Sequence, residues 1–255
     1  MKPTTRTLRP IRGNAFLWFL ACGFAAVCSV PAAWGADDAK PADAADKQPR
    51  IRLACLGDSI TEGIGPGKHA CWVTLVRNAL GKTWEVKNYG SGGATLLKKG
   101  NKPYHTLNEF KLVLTNKPDV VTIALGTNDS KPPNWKFKQE FAADYADMIA
   151  EIRKVNPNVR IYCCLPPPAF PGNWGISDAT IKDEIIPLIR QVAKDANCAV
   201  IDLYTPLIGK AEFAPDRVHP KAKGHLVMAA TIYRSLTGQD APEGALKADP
   251  KPLPH

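Results

Sequence analysis

The chain has 255 residues, 45% of them apolar and 22% charged, with seven cysteines and a formal net charge of +9. That composition excludes a disordered chain, a disulfide-dense miniprotein and a polytopic membrane protein. The length suits one large globular domain or two small ones.

Lys2, Arg6, Arg9 and Arg12 precede an apolar run of 16 residues, Ala15–Val30, and then Pro31-Ala32-Ala33-Trp34-Gly35. Small residues stand at the −3 and −1 positions of a cut after Gly35, so residues 1–35 read as a secretory signal peptide. The run is shorter than the roughly 18 residues of a spanning segment. The expected location is therefore periplasmic or extracellular, with no membrane attachment after cleavage. Residues 36–50 hold no large apolar side chain and read as a flexible linker. Residues 238–255, with Pro242, Pro250, Pro252 and Pro254, read as a disordered tail. One globular domain, 51–237, remains. Removing the leader takes four positive charges with it and leaves +5, mostly as scattered lysine with only Lys98, Lys99 and Lys102 loosely clustered. Scattered lysine on an exported domain is a solvated surface and gives no nucleic-acid partner.

Within the domain, β-branched runs alternate with amphipathic segments. Strands are expected at Ile51–Leu56, Trp84–Asn88, Asp119–Leu125, Val159–Leu165 and Ala199–Tyr204, the third being the most apolar and central. Helices are expected near Cys71–Leu80, Thr106–Asn116, Gln139–Val155, Ser177–Ala196 and Gly224–Leu236. Lys117-Pro118 and Asn156-Pro157 stop two of them. Alternation of this kind predicts a parallel sheet with helices on both faces, and right-handed crossovers bring the carboxyl ends of all strands to one edge.

That edge collects Gly57-Asp58-Ser59, Gly90-Ser91-Gly92-Gly93, Gly126-Thr127-Asn128-Asp129, Pro166-Pro167-Pro168 and Asp216-Arg217-Val218-His219-Pro220. Neither glycine loop has phosphate-binding spacing: Glu62 and His69 stand where a P-loop needs glycine and a hydroxyl, and Thr95 breaks G-x-G-x-x-G. Nucleophilic catalysis fits better. A serine hydroxyl needs a base, and the base needs a partner to set its tautomer. Ser59 lies two residues beyond a strand-ending glycine, and of the five histidines His219 has an acid, Asp216, in its own short loop. Donors for a developing oxyanion are available from the Ser59 N–H, the Gly90–Gly93 loop and the Asn128 amide. The five cysteines of the domain, Cys55, Cys71, Cys163, Cys164 and Cys198, contain no CxxC pair. Their spacing assigns no disulfide, and no Cys/His cluster has the spacing of a metal site.

Gly57-Asp58-Ser59-Ile60, Asn88-Tyr89-Gly90-Ser91-Gly92-Gly93, Gly126-Thr127-Asn128-Asp129 and Asp216-Arg217-Val218-His219-Pro220 together resemble the four blocks of the GDSL, or SGNH, hydrolases. The resemblance implies a three-layer α/β/α sandwich with a five-stranded parallel sheet, and a serine esterase that uses no metal or other cofactor. By motif it makes Ser59 the nucleophile, His219 the base and Asp216 its orienter, with Gly93 and Asn128 joining the Ser59 N–H as the oxyanion hole. Thr61 replaces the second glycine of a G-x-S-x-G elbow, which argues against a conventional α/β-hydrolase. Exported members with a short core resemble carbohydrate O-acetylesterases, so the expected substrate is a small-molecule or glycan acetyl ester. Trp135, Phe170 and Trp174 are then candidates for stacking on sugar rings. The alternatives are the same chemistry on a lysophospholipid, thioester or aryl ester, or a glycan-binding module on a hydrolase scaffold.

Overall fold

The computed structural model describes residues 49–172 and 174–250. The leader, most of the linker and the last five positions of the tail lie outside the described residues. In chain order the elements are β1 (Ile51–Gly57), α1 (Ser59–Glu62), α2 (Trp72–Leu80), β2 (Trp84–Gly90), α3 (Asn108–Asn116), β3 (Val120–Ala124), α4 (Pro132–Trp135), α5 (Phe141–Val155), β4 (Arg160–Leu165), α6 (Asp178–Thr180), α7 (Ile186–Asp195), β5 (Ala199–Asp202) and α8 (Ala222–Thr237).

The strands pair in parallel in the order β2-β1-β3-β4-β5, with β3 at the centre as its composition predicts. Side chains alternate across the sheet. Leu53, Cys55, Val120, Cys164 and Ile201 meet Trp72 and Val76 of α2 and Met228 and Ile232 of α8. Ala54, Leu56, Val121, Ile123 and Cys163 meet Phe110 of α3, Tyr145 and Ile149 of α5 and Ile189 of α7. Three layers result. A parallel strand covered on both faces has no polar side to show, which is why β3 reads as nearly continuous hydrocarbon.

Two expectations need correction and a third is refined. The segment Ser177–Ala196 is helical throughout, capped at those two residues, but it is not uniformly α: a π-helical turn, Ile181–Ile185, lies between α6 and α7. Pro187, near the α7 start, has no N–H to give the preceding turn, and the wider turn accommodates that loss. β5 ends at Asp202, not Tyr204, because the Asp202 carboxylate accepts the N–H groups of Tyr204 and Thr205 and turns the chain. The tail is not free as far as it is described. Asp249 N–H donates to the His69 carbonyl, Arg77 of α2 pairs with the Asp249 carboxylate, and Leu246 packs against the core cluster that includes residues of α2 and α8.

Cys55, Cys71, Cys163, Cys164 and Cys198 are all free, and the first four are buried as small hydrophobes. Among the described residues no helix is long and apolar enough to cross a membrane.

Candidate active site

β1 delivers the chain to the carboxyl edge of the sheet and turns at once into α1. Asp58 caps that helix, its Oδ1 accepting the Ile60 N–H at 2.9 Å. Ser59 is therefore the first helical residue, and its own N–H has no intrahelical acceptor. On the neighbouring strand, Asn88 ties the glycine loop to α1: its Nδ2 donates to the Thr61 carbonyl and its Oδ1 accepts the Gly90 N–H, each at 2.8 Å. Gly90 passes so close to α1 that a Cβ there would meet the Glu62 nitrogen at 2.1 Å.

The loop after β5 returns to the same edge and carries the base. Asp216 accepts two backbone N–H groups on Oδ1, from His219 at 2.7 Å and Val218 at 3.1 Å. Its Oδ2 accepts His219 Nδ1–H at 2.7 Å. A carboxylate acceptor fixes the histidine tautomer, leaving Nε2 to accept the Ser59 Oγ–H at 2.8 Å. Burial alone would raise the Asp216 carboxyl, but the His219 N–H, the His219 ring and the Val218 N–H outweigh it and hold that carboxyl below the usual range. Asp216 thus stays ionised beside the ring.

Ser59 and His219 open into a cavity of about 310 Å3, with Gly93, Thr127 and Asn128 on its polar side and Ile64, Ile176 and Val218 on its apolar side. Its volume lies at the small end for ligand clefts. Asn128 is buried and spends one amide hydrogen on the Ala94 carbonyl at 3.2 Å, so its second hydrogen is free. The adjacent Gly92 and Gly93 differ in what their N–H groups meet. Gly92 N–H is already donated to Glu62 Oε2 at 2.8 Å, whereas Gly93 lines the cavity and turns with φ +77°.

The aromatic candidates separate. Trp174 stands at the cavity mouth, 59% exposed, with its ring edge-on to His219 at a centroid distance of 5.9 Å. Trp135 does not reach the site: it is 8% exposed and packs edge-on against Phe141, 5.4 Å away, as a core residue. Phe170 contributes through its backbone, its N–H donating to the Arg217 carbonyl at 2.8 Å, and its side chain does not line the cavity. Ile64, Lys131 and Ile176 line it without having been singled out by any motif. Their signal is positional only, since each lies in the segment that follows a strand end.

Two further acids sit behind the site. Asp58 is pushed up to about 6 by burial, against the opposing pull of the Ile60 N–H, the nearby His219 and Thr127. Asp129 is pushed up to about 7 by burial, although the Leu97 and Leu96 N–H groups both donate to it. Among the described residues no group of three or more His, Cys, Asp and Glu side chains could hold a metal ion.

A parallel α/β/α sandwich with these polar groups at its carboxyl edge has the parts that ester hydrolysis by a serine requires. Residues 55–227 match the GDSL-like lipase/acylhydrolase family, and the chain belongs to that family. It is 38% identical over 212 residues to an acetylxylan esterase of Xylanibacter ruminicola, an alignment covering 75% of this chain and 44% of that one. The chain thus matches less than half the length of that relative. An acetylxylan esterase of Geobacillus stearothermophilus is 26% identical over 207 residues, covering 72% of this chain and 93% of the relative. The fold is also that of Est24, a carbohydrate acetylesterase from Sinorhizobium meliloti, with a TM-score of 0.62 at 18% identity over 74% of this chain and 99% of that structure.

Proposed function

We propose that this chain is an exported esterase that removes acetyl groups from carbohydrate through an acyl-enzyme on Ser59. The observation that carries the reading is the unbroken series Ser59 Oγ, His219 and Asp216, with hydrogen bonds of 2.8 and 2.7 Å, opening into a small cavity. Similarity to acetylxylan esterases supports the acetyl-carbohydrate substrate. The signal-like order of residues 1–35 supports export.

Ser59 Oγ attacks the ester carbonyl while His219 Nε2 takes its proton. The Asp216 carboxylate stabilises the imidazolium that forms. Negative charge on the carbonyl oxygen is met by the Ser59 N–H, the Gly93 N–H and the Asn128 amide, each worth about 2.7–4 kcal/mol in a transition state of this kind. Collapse expels the sugar oxygen, which takes the proton from His219. Water, activated by the same ring, then releases acetate from Ser59.

Trp174 offers the sugar a surface. It holds a left-handed backbone at φ +71°, which costs a non-glycine residue roughly 1–2 kcal/mol, and it spends that cost on an exposed ring beside the base. Acetate release from a panel of acetylated glycans, with Ser59→Ala as control, tests the reading. Ser59→Ala is expected to abolish release, and full retention would refute the mechanism. The exposed Ile64 at the apolar side favours a second reading, an aryl or longer acyl ester. An acyl-chain series with its optimum beyond about C6 would support it, since each buried CH2 contributes about 0.8 kcal/mol.

A further inference from the structure

Of the three clustered lysines, two are surface ion pairs: Lys98 reaches Asp147 at 2.8 Å and Lys99 reaches Glu140 at 2.6 Å. Lys102 turns inward instead. Its Nζ donates to the Gly92 carbonyl at 2.7 Å and to Ser91 Oγ at 3.1 Å, and among the described residues these neutral oxygens are its partners. Gly92 is thereby gripped at both ends, its N–H by Glu62 Oε2 and its carbonyl by Lys102.

The Gly92 carbonyl and the Gly93 N–H are two ends of one planar peptide unit. Fixing one end fixes the other. A charged donor at the carbonyl also polarises the amide, making its N–H a stronger donor in turn. Gly93 is the glycine that lines the cavity beside Ser59. The loop that carries Lys102 is itself pinned: Thr95 N–H donates to the Lys102 carbonyl, and Asn101 N–H to Asn134 Oδ1, each at 2.9 Å. Asn134 Nδ2 donates to the backbone carbonyl of Asn128 at 2.8 Å, so the Lys102 loop is tied through Asn134 of α4 to the main chain at Asn128.

We propose that Lys102 is a positioning residue of the ester-hydrolysing centre, its ammonium orienting and polarising the Gly93 N–H from behind the Gly92–Gly93 peptide. The inference rests on Gly93 serving the oxyanion.

The test uses Lys102→Met, Lys102→Gln and Lys102→Arg, with Lys99→Met as a charge control and Ser59→Ala as a mechanistic one. Turnover of 4-nitrophenyl acetate is measured beside the affinity of an alkyl boronic acid, which becomes tetrahedral on a serine nucleophile. Lys102→Met is expected to lower kcat about tenfold with KM within about twofold, and to weaken the boronate by the same factor, a smaller loss than deleting an oxyanion donor outright. Lys102→Arg should recover most of the loss, and Lys99→Met should behave as wild type. Wild-type kcat in Lys102→Met overturns the inference, and so does a kcat loss with unchanged boronate affinity. Where Lys102→Met fails to fold, the remaining pair decides: Arg exceeding Gln in kcat supports a charged donor, and equality refutes it. Unimpaired turnover by Ser59→Ala would instead overturn the acyl-enzyme reading beneath it.

Discussion

Gly90, the last residue of β2, and Gly93, in the loop that follows it, lie under opposite constraints. A Cβ on Gly90 would sit 2.1 Å from the Glu62 nitrogen and 2.6 Å from the Thr61 carbonyl carbon, both backbone atoms that cannot step aside. On Gly93 the nearest atom would be Lys102 Cδ at 3.9 Å, and the obstacle is the positive φ alone. Urea denaturation should therefore show Gly90→Ala losing about 3 kcal/mol or more and Gly93→Ala about 1 kcal/mol. Equal losses would mean that one constraint has been misread. Asn128→Ala removes a donor and one tie to Ala94 without touching the main core. Its kcat should fall about 100- to 1000-fold while its unfolding midpoint stays close to wild type. The meeting of Ser59, His219 and Asp216 is legible in the sequence because a hydroxyl, a ring and a carboxylate stand in loops that one sheet edge collects. Trp135 was misread for the same reason: an aromatic beside a strand-end motif looks like a substrate contact, and only packing against Phe141 shows that it faces inward. Lys102 was legible only as charge, since its inward turn depends on a loop path that periodicity does not encode.

At the scale of elements, hydrophobic patterning placed the inner strands β1, β3 and β4 because a strand buried on both faces has one kind of sequence, whereas the partly exposed edge strands β2 and β5 are marked by their place in the strand–helix alternation. It could not place the π-helical turn before α7, since apolar spacing continues through it and only Pro187 marks the change. Nor could it place the tail, whose proline-rich composition reads as unfolded while its Leu246 packs on the core. A backbone hydrogen bond to His69, an ion pair and an apolar contact hold that strap. The Arg77–Asp249 pair is two-fifths exposed on each side, so Asp249→Asn should cost less than about 1 kcal/mol and less still at high salt. Deleting residues 241–255 also uncovers the apolar contact and should cost about 1–3 kcal/mol, on the burial of one large aliphatic side chain. Thermal melts of the two variants compare the terms. A deletion no more costly than Asp249→Asn would remove Leu246 from the account of how the tail is held.

Across the whole molecule, one buried histidine couples α8 to α2 and ties stability to pH. His225 is fully buried, and its Nδ1 accepts the Trp72 N–H at 3.0 Å. That bond requires an unprotonated Nδ1. Burial, with the His219 ring nearby, pushes its pKa down to about 3, whereas the unfolded chain leaves it near 6.5. Between those values the unfolded state binds more protons, so the His225 contribution is complete above about pH 6.5 and is lost as pH falls, by at most about 1.4 kcal/mol per unit. Asp58 and Asp129 act in the opposite sense. Their folded pKa values, about 6 and about 7, lie above those of the unfolded chain, so they favour folding as the medium becomes acidic and lose that contribution as pH rises. The wild-type profile is the difference of these slopes, and a single curve would not separate them. His225→Gln isolates the histidine, because it removes the titration while leaving an amide oxygen that can accept the Trp72 N–H. At pH 7 the variant should be the less stable protein, for its imperfect fit in the core. Between pH 6.5 and pH 5 the gap to wild type should narrow by about 2 kcal/mol, as wild type alone bears the cost of keeping the ring neutral. Urea denaturation at the two pH values measures the gap. A constant gap would mean that His225 titrates alike in both states and that its burial does not set the acid limit of the fold.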